Sequence, residues 1–186
     1  MKILLLVFSI VIALAGCTSA GSQNDQAAAY CLKNGGKVET RYPFYDTNSQ
    51  NPLRMAGSLD VCTFAAADHS RITIALDTLY TGQPTIAASA YLTKPAIGET
   101  PASVNPASVY CTKLGGTDLF GGVNAAVGGW ANQDGSDVIS LCVFPDLSVI
   151  DSWGLTYHAA GTIRGADLAP LLRYHLDQSK KPFQQP

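Results

Sequence analysis

"ASVYCTKLGG", residues 107–116, repeats in altered form an earlier stretch, "AAAYCLKNGG" at 27–36, at an offset of 80 positions (107 − 27 = 80). The same offset joins "DVCTF" at 60–64 to "SLCVF" at 140–144, so Cys31 matches Cys111 and Cys62 matches Cys142. Setting Cys17 aside for the N-terminus, four cysteines remain, and four allow three disulfide connectivities. The repeat selects Cys31–Cys62 and Cys111–Cys142, each 31 positions apart (62 − 31 = 31; 142 − 111 = 31). Closing a loop of that size removes about 3–4 kcal/mol of unfolded-chain entropy, comparable to what the core of so short a unit supplies. Neither a Cys-x-x-Cys nor a His-x-x-x-His pair is present to favour metal over bridges.

Each copy reads the same way locally. Asn105 is an N-cap, Pro106 stands at the first helical position, and Gly115 supplies a left-handed stop. Ala107, Cys111 and Leu114 share one helix face. Downstream, Val138, Ser140, Cys142 and Phe144 alternate onto one strand face, a Pro-Asp turn follows, and a short β-branched run leads to Trp153. In the first copy Ile72, Ile74 and Leu76 alternate. The expected fold is α+β: two small repeated units, each a short helix disulfide-linked to a small antiparallel sheet, plus a C-terminal helix. The units span 27–82 and 105–164, joined by a Pro/Ala/Thr/Ser-rich linker at 83–104 in which residues 86–92 could add a strand. Residues 165–186 form the C-terminal helix and tail, with Leu168, Leu171, Leu172, His175 and Leu176 on one face.

The N-terminus carries Lys2, the apolar run "ILLLVFSIVIALA" (3–15) and then Cys17 after small residues. The run is too short for a stable span and reads as an export signal over residues 1–16. Leu14-Ala15-Gly16-Cys17 resembles the bacterial lipoprotein lipobox. That resemblance implies a lipid on Cys17, a tether over 17–26 and a place in the cell envelope. Thr18 rather than Asp after the cysteine points to the outer membrane, facing the periplasm. Multi-chain acylation would hold the protein firmly to the bilayer. A formal net charge of −2 gives no electrostatic reason to bind nucleic acid.

Residues 105–116 and 141–153 together, "NPASVYCTKLGG" followed by "LCVFPDLSVIDSW", resemble a family of small cysteine-containing bacterial envelope lipoproteins. Its members carry a haemolysin label over a domain of unknown function. The second copy is closer to the family pattern than the first. Leu147 replaces the family's turn glycine, which argues against a tight hairpin turn there. The family has no agreed catalytic residues, so the resemblance assigns none. A pore-former needs a long span or a closed barrel, which short stapled units do not supply.

Chemical motifs are sparse. His69, His158 and His175 are scattered, and there is no Gly-x-Ser-x-Gly elbow. "NQDGSD" (132–137) lacks the anchoring carboxylates of a calcium loop and reads as a turn. Asp146 and Asp151 could pair as carboxylates for acid–base work, but the simpler reading makes Asp146 a turn hydrogen-bonder and Asp151 a cap or solvated position. No catalytic residue, metal site or cofactor is assigned. The leading expectation is a non-enzymatic binding or structural module with an envelope protein as partner. The alternatives are a proteinase-inhibitor-like module presenting "FPDLS", and an enzyme with an unrecognised site. The candidate contact residues are Trp130, an aromatic among glycines, and the turn at Pro145 and Asp146.

Overall fold

The structure is a computed structural model that describes residues 22–99, 103–118 and 128–176. Cys17, the signal over 1–16 and most of the tether lie outside the described residues.

Helix α1 (Gln23–Lys33) opens on a capping box in which Ser22 and Asp25 bond each other's backbone N–H. It stops at Gly35, whose φ of +82° suits a residue without Cβ. Strand β1 (Lys37–Tyr45) pairs antiparallel with β3 (Leu59–Ala65), which pairs with β4 (Arg71–Ala75); β2 (Leu53–Arg54) lines the outer edge of β1. Helices α2 (Leu76–Tyr80) and α3 (Ile86–Thr93) follow. The second half gives α4 (Pro106–Lys113), β5 (Thr117–Asp118), β6 (Gly128–Ala131), β7 (Leu141–Val143), β8 (Val149–Asp151) and α5 (Ser152–Ala159). Asn105 caps α4 through Ala107 N–H, with Pro106 at its start, as the sequence predicts. The α+β class holds, and both expected bridges are present, with Cα–Cα distances of 5.7 and 5.6 Å.

The two halves are not separate units. The sheet runs β2-β1-β3-β4-β8-β7-β5, with β6 also paired to β1. It is joined through Ile74 opposite Ile150. Within its own hairpin Ile74 faces Cys62, and Ile150 faces Cys142, so both cystines lie in one row across one sheet face. All four cysteines belong to a single core with Phe64, Leu79, Tyr91 and Phe144. Either half alone would leave β4 or β8 as a bare edge over a small core; joining them removes both defects. Strand β6 strengthens the union by crossing from the second half to Tyr42–Tyr45 of the first.

Two other expectations are corrected. Within the segment expected as a linker, the residues at 86–92 form a helix and not a strand: α3 is capped by Thr85 and buries Ala87, Ala88, Ala90 and Tyr91. Small side chains let this helix approach the core closely, which composition alone disguises as low complexity. The C-terminal helix does not form within the described residues. Leu172 N–H bonds Leu168 carbonyl for one turn, but the next donor, Arg173 N–H, is taken by Leu79 carbonyl of α2. That diversion ends the helical ladder, while Leu168 and Leu172 still reach the core.

The turn between β7 and β8 is tight despite its leucine. Phe144 N–H bonds Ser148 carbonyl and Leu147 N–H bonds Phe144 carbonyl, with Leu147 at φ +64° and 80% exposed. A left-handed leucine costs about 1–2 kcal/mol that glycine avoids. Leu147→Gly is therefore expected to gain about 1 kcal/mol of stability, read by urea denaturation at fixed m-value.

Candidate functional site

The sheet face opposite the cystines bears charge. Glu39 and Arg41 of β1, Thr63 of β3 and Arg71 of β4 project from it, and the turn residue Asp137 meets them. Arg41 is 1% exposed and donates to Glu39 Oε2, Asp137 Oδ2 and Asp137 carbonyl, each at 2.8 Å. Arg71 commits both terminal nitrogens to the Asp137 carboxylate. Burial opposes the ionisation of Glu39, but hydrogen bonds from Lys37, Arg41 and Thr63 outweigh it and hold the carboxyl at about 2. Hydrogen bonds from Arg71, then from Arg41, hold Asp137 below the usual carboxylate range.

Beside this network a cleft of about 610 Å³ opens where the start of β4, the end of β8 and helix α5 meet. Its size is that of small-molecule sites. Asp151, 7% exposed, contributes to its lining and also caps α5 by accepting Gly154 N–H at 2.7 Å. The helix lies directly on β4: a Cβ on Gly154 would meet Ile72 Cγ1 at 2.6 Å. That close seat brings Trp153 and Tyr157, one turn apart, along the cleft, with ring centroids 5.8 Å apart and tilted 31°. Arg164 follows in the loop after α5. Its guanidinium sits 4.9 Å from the Tyr157 ring, and its buried Nε has no hydrogen-bond partner. Gly165 fixes that loop, at φ +66° with its N–H on Ser70 Oγ, pressed against the Phe64 and Ile72 backbones. Thr47, Asn48, Asn105 and Ser140 complete a polar rim.

Burial pushes the Asp151 carboxyl up to about 6, against the opposing pull of the Gly154 N–H and the Arg164 and Arg71 charges. The group therefore titrates just below neutrality inside a cleft, which is how functional carboxylates are commonly found. Among the described residues no histidine, cysteine or lysine lines the cleft. His158 is stacked on Tyr91 at 3.7 Å inside the core, and burial lowers its pKa. Asp118 is likewise buried, bonded to Ser108 Oγ at 2.8 Å, with its pKa raised by burial. Among the described residues no group of three His, Cys, Asp or Glu side chains could hold a metal ion.

The candidate contacts fare differently. Trp130 is 9% exposed: β6 places it opposite Pro43, and its indole covers the second, smaller core with Val61, Ala75, Ile139 and Leu141. It is a roof over the sheet and not a free contact. Pro145 and Asp146 are exposed. The Asp146 carboxylate is already engaged, accepting Ile86 N–H at 2.7 Å and Ser148 N–H at 3.1 Å. It tethers the turn to α3. Of the two roles the sequence offers Asp151, cap or solvated position, the cap holds and solvation does not, and its place in a cleft with Arg71, Tyr157 and Arg164 was missed because pairing of the two halves brings β4 to β8.

The fold and cleft define a disulfide-locked α+β scaffold with one charged, aromatic-walled recess. No family model, curated protein or solved structure matches the chain.

Proposed function

We propose that this protein is a lipid-anchored component of the bacterial cell envelope, held through Cys17 in the outer membrane facing the periplasm, and that it works as a non-enzymatic binding module. The anchor rests on the "LAGC" spelling, and the resemblance to the haemolysin-labelled envelope family supports the same setting. The observation that carries the binding role is the recess joining Asp151, Arg164, Trp153 and Tyr157 on a scaffold tied by two cystines. A rigid scaffold lowers the ordering cost of binding. Among the described residues no hydrogen bond joins a hydroxyl of the recess to Asp151, so an enzymatic alternative would have to run on Asp151 as its acid–base group, a case for a hydrolase screen.

The anchor is tested by feeding cells a clickable fatty acid. The parent protein should carry label, and Cys17→Ser should lose it and leave the membrane fraction. Label that persists in the variant would end the assignment. For binding, a photo-crosslinking residue at exposed Asn48, on the rim, should capture an envelope component, whereas one at exposed Thr112 on α4 should not.

A proteinase-inhibitor-like role draws on one feature, the 80% exposed Leu147 on a backbone-locked turn. A φ of +64° there is far from the extended backbone that a peptide presents when it adds as a strand to a cleft. A protease panel in which no enzyme is slowed removes that reading.

A further inference from the structure

We infer that the cleft takes a pyranose bearing a carboxylate, with the sugar ring against Trp153 and Tyr157 and the carboxylate on Arg164. The inference rests on the cleft being the ligand seat. Three observations select this chemistry. First, the arginines differ. Both terminal nitrogens of Arg71 are spent on Asp137, whereas Arg164 has no carboxylate partner among the described residues. Its buried Nε is also unbonded. A planar guanidinium of this kind matches a carboxylate in two-point geometry.

Second, the aromatic wall is partly open, with Tyr157 38% exposed and Trp153 half-buried on the same helix face. Rings of this kind cover the C–H face of a sugar, and the polar tips of Trp and Tyr remain able to bond at a wet rim. Third, the remaining lining is uncharged, with Val138, Ile139 and Gly128 on one side and four polar side chains on the rim. Asn105 uses its side-chain oxygen to cap α4, leaving its amide nitrogen to donate; Ser140, Thr47 and Asn48 can donate and accept. Hydroxyl-rich ligands need such two-way groups, whereas an aliphatic ligand would strand them.

Asp151 adds a pH signature. The charged or titratable groups facing it are Arg71 on β4, Asp137 bonded to that arginine, Tyr157 on α5 and Arg164 in the following loop. An arriving carboxylate is repelled by ionised Asp151 and not by its protonated form. Affinity for the acid is therefore higher at pH 5 than at pH 7.5, with a proton taken up on binding at the higher pH.

The test uses the full lipidated chain in detergent, with calorimetry and tryptophan fluorescence as readouts. The probes are glucuronic acid and N-acetylmuramic acid, their neutral counterparts glucose and N-acetylglucosamine, and lactate as a carboxylate without a ring. The expected result is that at least one sugar acid binds tenfold or more tightly than its neutral counterpart and than lactate. Which acid wins distinguishes a uronate-containing polymer from a muramyl-containing one. Arg164→Met should erase that preference in a protein that circular dichroism shows to be folded, and Arg164→Lys should restore part of it. Equal binding of acid and neutral sugars, or of lactate and sugar acids, overturns the inference. So does silence of all five probes while the Asn48 crosslinker still captures a component, an outcome that leaves the cleft as ligand seat. If the Asn48 crosslinker captures nothing as well, the binding reading itself fails.

Discussion

Alanine at Gly36 or at Gly116 is expected to cost about 3 kcal/mol each, at the upper end of overpacking effects, and to leave the neighbouring bridge unformed in part of the folded protein, which shows as free thiol. A Cβ on Gly36 would run into the Cys62 sulfur, with Cys31 Sγ at 2.8 Å and Phe64 Cε1 at 3.0 Å. A Cβ on Gly116 would meet Cys142 Sγ at 2.5 Å, Cys111 Sγ at 3.0 Å and Phe144 Cε1 at 3.1 Å. Neither glycine has a positive φ, so the penalty is steric. The preceding glycines are the reverse case. Gly35 and Gly115 sit at φ +82° and +83° with open space where a Cβ would go. Alanine there should cost only the left-handed penalty of about 1–2 kcal/mol and leave the bridges intact. In each Gly-Gly pair the first residue turns the chain and the second makes room for a sulfur. Guanidinium denaturation with thiol titration of the four single variants checks both halves of the statement. Equal costs at Gly35 and Gly36 would show that the close packing against sulfur is relieved elsewhere.

That contrast also shows what was legible in the sequence and why. The bridges follow from the repeat, and the cap of α4 and the Gly-Gly stops from local spacing, because each stop or cap acts within one turn. The union of halves through Ile74 and Ile150 leaves no local trace. A buried central strand and a half-buried edge strand of five residues have the same alternation. Trp130 misled for a related reason: glycines around an aromatic suggest exposure, but β6 pairs with β1, and Gly129 makes room for the other neighbouring segment, since a Cβ there would strike Ile139 carbonyl at 2.9 Å. The cleft was invisible because Arg71, Asp151 and Arg164 come from three segments. Only Asp151 had a sequence signal, as a cap, and capping says nothing about burial. The C-terminal stretch shows the converse, a good helical face overridden when a tertiary carbonyl captured one donor.

Asp151→Asn is expected to stabilise the protein by about 3 kcal/mol at pH 7.5 and to leave it unchanged near pH 4. The sign follows from the direction of the shift. Burial raises the folded carboxyl from 3.8 to about 6, so the folded state holds its proton more tightly than the unfolded chain does. Below about pH 4 both states are protonated and nothing is lost. As pH rises from 4 to 6 the unfolded chain ionises first, and stability falls by about 1.4 kcal/mol per pH unit until the folded group ionises too. Asparagine is an equally good N-cap for the Gly154 N–H and carries no charge to bury. Glu39 acts in the opposite sense: held at about 2, it contributes stability that is present above its ordinary 4.5 and lost as pH falls towards 2. Asp118 reinforces the first trend and Asp137 the second. The parent should therefore be most stable near pH 4–5, and the variant should fall less steeply towards neutrality, with Asp118 supplying the slope that remains. Thermal unfolding across pH 3–8 separates the two curves. Parallel curves would mean that water reaches Asp151 and relieves its burial. Divergence would identify a carboxylate whose burial costs the fold stability at neutral pH, a cost that a scaffold tied by two cystines can carry.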